Sequence, residues 1–140
     1  MINLENMIRQ HNSIMEDVKF IDEEVKKQKD KINVAETVIH INRLAGKLKA
    51  HLIEEDRFLY PDLLLCKDKE IKLMAQQYID EMGNLAESYT NYKIAFHIST
   101  KIKSELDLFI IETKKILSAL KKRMEKEDSQ LYRIIAERKL

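Results

Sequence analysis

Residues 55–60 read Glu-Asp-Arg-Phe-Leu-Tyr and residues 127–132 read Glu-Asp-Ser-Gln-Leu-Tyr, so E-D-x-x-L-Y occurs twice, about half a chain length apart. A repeat of this kind constrains the chain to two related halves with corresponding elements at corresponding heights. Four residues before the first glutamate stands His51, and four before the second stands Arg123. A His and a Glu at i and i+4 project from one helix face and can hold one metal ion. An Arg and a Glu at that spacing make a salt bridge instead. The spacing therefore reads as a duplicated metal-binding element, one copy of which has lost a ligand.

The halves are helical. Only two glycines and one proline occur in 140 residues, too few turn formers for a sheet protein. Apolar residues recur at helical spacing through Leu4, Met7, Ile8, Ile14, Met15, Val18, Ile21 and Val25, with His11 on the same stripe. The pattern stops in the polar run 26–31. Asn33, followed by Glu36, is a capping-box start for a second helix. That helix turns Val34, Val38, Ile41, Leu44, Leu48, His51, Leu52, Glu55, Phe58 and Leu59 inward and ends at Pro61. A third helix begins near Asp68 and runs to Phe96. The fourth carries Leu106, Phe109, Ile116, Leu120, Glu127, Leu131 and Ile135. No Gly or Pro marks the boundary between them, but the repeat places a turn near residue 102, where Ser99, Thr100 and Ser104 are candidate caps. The expected fold is all-α, an up-down-up-down antiparallel four-helix bundle forming one domain over residues 1–140.

Charged residues make up 35% of the chain but nearly cancel, leaving +1. That balance argues against nucleic acid as a partner. Cys66 is the lone cysteine, so no intrachain disulfide forms and a reducing compartment is expected. The N-terminus breaks its apolar residues with charge, unlike a signal peptide, and no apolar run reaches membrane-spanning length. A cytoplasmic protein with no membrane partner is the expectation.

The repeat extends further upstream. His11 lies 40 residues before His51, and the same step back from Arg123 reaches Met82. Both histidine positions of the second half have thus changed, while Glu127 remains. In an up-down bundle His11 and His51 lie at one level, and Glu55 and Glu127 at one level. Two imidazoles and two carboxylates converging inside a bundle suit Fe, Mn or Zn. Taken singly, a histidine on an apolar stripe is ordinarily a hydrogen-bonded core residue, and an E-D pair near a helix end is ordinarily solvated.

The pattern resembles the hemerythrin-like, or HHE cation-binding, family over essentially the whole chain. The stretch from His51 through Glu55-Asp56 to Leu59-Tyr60-Pro61 matches the family's second-helix motif, and His11 matches its first-helix histidine. Glu127 with Leu131-Tyr132 matches the fourth-helix motif except at Arg123, and Met82 stands where the third-helix histidine belongs. The resemblance implies carboxylates that bridge two irons and histidines that complete the coordination. Here it implies His11, His51, Glu55 and Glu127 as the surviving ligands of an incomplete site. Iron, non-haem, mono- or dinuclear and partly loaded, is the implied cofactor, with no cofactor at all as the other reading. O2 or NO binding, or iron sensing, is the implied function.

Arg123 has two readings. Its guanidinium occupies or caps the vacated second metal position, or it pairs with Glu127 on the rim as an ordinary surface contact. Met82 is a soft thioether ligand or an apolar plug. Gly83 eases close packing or reflects drift. His40 and His97 fall at similar heights near Glu112, as a second metal or bis-histidine haem site or as plain hydrogen-bonding residues. The competing function is a degenerate metal-free bundle used for protein interaction or dimerisation, a homodimer included. No nucleophile triad, phosphate loop or reactive-cysteine setting points to conventional catalysis, so an enzyme is not the expectation, although metal-dependent peroxide or NO chemistry is a third reading.

Overall fold

The computed structural model describes residues 2–140, and they form a helical bundle without strands. Helix α1 spans Leu4–Val25 and starts where the Asn3 side chain accepts from the Asn6 amide. A 3-10 turn at Lys29–Lys31 leads to α2, Val34–Phe58. Asn33 caps α2 as its sequence foretells, accepting from the Glu36 amide at 3.1 Å. Pro61 does not end the helical path. The chain bends at Leu59 (φ −111°, ψ −65°) and continues as the short helix α3, Tyr60–Leu64, whose second position the proline occupies. Helix α4, Lys69–Phe96, is capped by Asp68.

The second half departs further from a simple hairpin. A short helix α5, Ser99–Ser104, fills the expected turn, and α6 covers Leu106–Lys126. Ser99 and Ser104 do not cap α6: they lie inside α5, and the Ser104 hydroxyl bonds to the Lys101 carbonyl. The fourth helical path does run past residue 135, but not as regular α-helix throughout. The backbone opens into a π turn at Glu127–Leu131, the Tyr132 amide reaching the Glu127 carbonyl, before α7, Tyr132–Glu137. Single π turns of this kind commonly mark functional sites in helices.

Two apolar clusters divide the interior. The larger contains Ile14, Val18, Ile21, Ile41, Leu44, Leu48, Met82, Tyr89, Phe109, Leu120 and Met124. The smaller fills one end with Met7, Leu59, Tyr60, Leu63, Tyr78, Leu131, Tyr132 and Ile135. Phe58, expected inside, is 58% exposed, because the bend at Leu59 delivers Leu59, Tyr60 and Leu63 to that end in its place. Between the clusters lies a buried polar layer. Along α1 it falls between Met7 and Ile14, along α2 between Leu48 and Leu59, and along the α6 path between Met124 and Leu131. No described helix is long and apolar enough to cross a membrane.

Candidate metal centre

The polar layer holds His11, His51, Glu55 and Glu127, all 0–1% exposed. The structure thus brings these four residues of the two halves together. His11 Nε2 lies 2.7 Å from Glu127 Oε2 and 3.0 Å from His51 Nε2. His51 Nε2 lies 3.0 Å from Glu55 Oε1 and 3.6 Å from Glu127 Oε2. Among the described residues, His11, His51 and Glu127 form the one group of His, Cys, Asp or Glu whose ligand atoms all fall within 4.8 Å of one another, and Glu55 joins it through His51.

The outer partners determine which ring nitrogens face this point. His11 Nδ1 donates to Asp128 Oδ1 at 2.9 Å, and His51 Nδ1 donates to Gln10 Oε1 at 2.7 Å. Both partners are acceptors, so both protons of the neutral rings sit on Nδ1 and both Nε2 lone pairs point inward. Two imidazole lone pairs and two carboxylates therefore converge where the Tyr132 hydroxyl, 3.0 Å from His11 Nε2, is a neutral donor. Glu55 Oε1 is buried without a hydrogen bond. Such a set of acceptors needs a cation, a metal ion or protons, at its centre.

The titration behaviour follows from that need. Burial would lower the His51 pKa, but the Glu127 and Glu55 carboxylates reverse this and push it up to about 9. Burial would raise Glu127, but His11, His51 and Arg123 hold it down to about 2. Glu55 moves the other way, raised by burial and by the charge of Glu127. Without a metal the two carboxylates are thus driven in opposite directions.

Each glutamate also has a tyrosine of its own. Tyr60 donates to Glu55 Oε2 and Tyr132 to Glu127 Oε2, both at 3.4 Å. In a regular α-helix residues five apart point about 140° away from each other. The bend at Leu59 in one copy and the π turn in the other bring each tyrosine back to its glutamate. The L-Y ending of the repeat is visible in the sequence, but these hydrogen bonds are not. Asp128 and Gln10 also escape the sequence reading, although Asp128 stands in the repeated E-D pair.

Arg123 points inward and is 5% exposed. Its Nε donates to Glu127 Oε1 at 3.1 Å, Nη1 to Glu81 at 2.9 Å and Nη2 to the Tyr78 carbonyl at 2.7 Å. Met82, 2% exposed, belongs to the larger apolar cluster, as a plug does. His40 and His97 do not share a site. His40 bonds to Asp17 at 2.7 Å and stacks on Phe20, while His97 bonds to the Ile94 carbonyl. Gly83 serves no close approach, since a Cβ there would meet nothing within 4 Å.

The hemerythrin HHE cation-binding domain profile matches residues 3–135. The chain belongs to the hemerythrin HHE cation-binding family. No curated protein and no solved structure matches it. Membership in a family of cation-binding domains agrees with the chemistry of the buried layer in this hemerythrin-like chain.

Proposed function

We propose that this hemerythrin-like protein, one domain over residues 1–140, binds non-haem iron through His11, His51, Glu55 and Glu127, and senses or carries O2, NO or iron itself. The observation that carries this reading is the convergence of two Nε2 atoms and two carboxylates on one buried point, with both Nδ1 atoms engaged by acceptors on the outer side. A mixed nitrogen and oxygen set suits iron over soft metals. An ion held there would supply Lewis acidity and one-electron redox chemistry.

The chain's own residues prepare the site. Asp128 and Gln10 hold the imidazoles in the ligating tautomer. Tyr132 and Tyr60 keep a hydrogen-bond donor on each carboxylate. The apolar clusters on either side exclude bulk water.

An up-down-up-down topology is the architecture we infer. Pairings run in opposite senses between successive long helices: His11 with His51 and Asp17 with His40. Tyr92 meets Thr113 and Glu81 meets Arg123 likewise, and α1 closes on the last helix through His11 with Asp128 and Asp22 with Lys121.

Metal analysis of protein purified from iron-replete medium tests the reading. Bound iron that is lost in His51→Ala supports it. Metal-free protein whose thermal stability is unmoved by His51→Ala would favour a degenerate bundle used for protein interaction or dimerisation.

A further inference from the structure

The two copies of the repeat make the same contacts with different chemistry. In the first, His51 reaches outward to Gln10 at 2.7 Å and inward to Glu55 Oε1 at 3.0 Å. In the second, Arg123 reaches outward to Glu81 at 2.9 Å and inward to Glu127 Oε1 at 3.1 Å. Gln10 directly precedes His11, as Glu81 directly precedes Met82. The guanidinium has thus taken both contacts of the missing imidazole. Its outer partner differs accordingly: where His51 has the neutral amide of Gln10, Arg123 has the carboxylate of Glu81, which matches its positive charge.

Glu127 links the two halves of the layer. Its Oε1 is held by Arg123, and its Oε2 faces His11 and His51 at 2.7 and 3.6 Å. A carboxylate with one oxygen on each of two cationic positions is placed as a bridge between them. The guanidinium is fixed there by the Tyr78 carbonyl at 2.7 Å and by the Tyr78 ring 4.3 Å from its central carbon.

We propose that Arg123 is the second cation of the centre, a guanidinium in place of a second metal ion, so that the chain takes one divalent ion and excludes another. The inference rests on the metal-binding reading above. A second divalent ion would face the charge of Arg123, with Lys126 close by on Glu81 at 2.9 Å. It would also find no imidazole, because Met82 is committed to the apolar core. Unlike a metal, the guanidinium is covalently tethered to its helix and cannot dissociate.

Equilibrium dialysis of wild type, R123H and M82H/R123H against Fe(II) without oxygen and, separately, Zn(II) tests the inference. Wild type is expected to saturate at one ion per chain and M82H/R123H at two. Two ions on the wild type, or one on the folded double variant, would overturn the inference. Because the double variant could fail to fold, R123M supplies a second measurement. Removing the fixed cation leaves Glu127 dependent on the metal, so Zn(II) should raise the Tm of R123M more than that of wild type. An equal or smaller rise would overturn the inference. Wild type that binds no ion sinks the metal-binding reading and this inference together, whereas two ions sink this inference alone.

Discussion

Asp128, the residue next to Glu127 in sequence, accepts a hydrogen bond from His11 Nδ1 at 2.9 Å across 117 residues of chain. One dipeptide thus places a carboxylate inside the layer and a second carboxylate behind the ring that shares it. Its counterpart Asp56 supports no histidine. That side chain is exposed and lines a groove beside Met82, where the equivalent histidine is gone.

Asp128→Ala should therefore weaken metal binding while Asp56→Ala leaves it unchanged. Loss of a carboxylate behind a ligating histidine typically costs about 10–100-fold in affinity. Competition with a chromophoric chelator measures this, and equal affinities for the two variants would contradict the asymmetry.

The metal-free protein should lose stability as pH rises from neutrality. His51 titrates at about 9 in the folded chain against an ordinary 6.5. Its contribution is complete below 6.5 and disappears as pH climbs through about 9. Glu127 acts at the other end. Held at about 2 against an ordinary 4.5, it stabilises the fold above 4.5 and ceases to do so as pH falls toward 2. Urea unfolding across pH should show stability falling both toward pH 2 and toward pH 9, with Glu55, raised by burial, adding to the loss on the alkaline side. Flat stability through pH 9 would refute the His51 assignment. Because protons and metal compete for the same lone pairs, metal affinity should rise with pH.

Arg123→Met in metal-free protein should cost about 1–3 kcal/mol, because Glu127 Oε1 and the Tyr78 carbonyl lose a buried donor while Glu127 Oε2 keeps His11 and His51. Lys126→Met should cost about 1 kcal/mol or less, since its contact with Glu81 is at the surface. Denaturant melts of the two variants compare these directly, and similar small losses would mean that Arg123 is an ordinary surface residue.

Gly46→Ala and Gly83→Ala should each stabilise the fold by about 0.5–1 kcal/mol. Both glycines are exposed within long helices, have ordinary backbone angles, and leave open space where a Cβ would go. A fall in melting temperature in either variant would reveal a close approach that the structure does not contain.

The helical stripes and the inward direction of His11, His51, Glu55 and Glu127 are legible in the sequence because periodicity and i,i+4 spacing are local signals. Asn33 and Asp68 are readable as helix starts for the same reason. The bend at Leu59 and the π turn are not. Pro61 suits the first turn of a helix as well as its end, and Ser129-Gln130 carries no mark of an expanded turn. The tyrosine contacts depend on those two distortions, so they are hidden with them. Gln10 and Glu81 lie one residue before His11 and Met82, and only the packed helices show that they support His51 and Arg123. The inward direction of Arg123 is one of two readings that the sequence leaves open, and burial decides it.

The polar layer that separates the two apolar clusters also sets how the molecule comes apart. Oil-like contacts do not run continuously from one end to the other; they are interrupted by an electrostatic seam. The end formed by Met7, Leu63, Tyr78 and Ile135 is an apolar cluster of its own, on the far side of that seam. Cooperativity between the two parts then depends on what fills the seam. With a cation seated, amide exchange at both ends should report one global opening. With it stripped, the smaller end should exchange first, as a separate unit of lower stability.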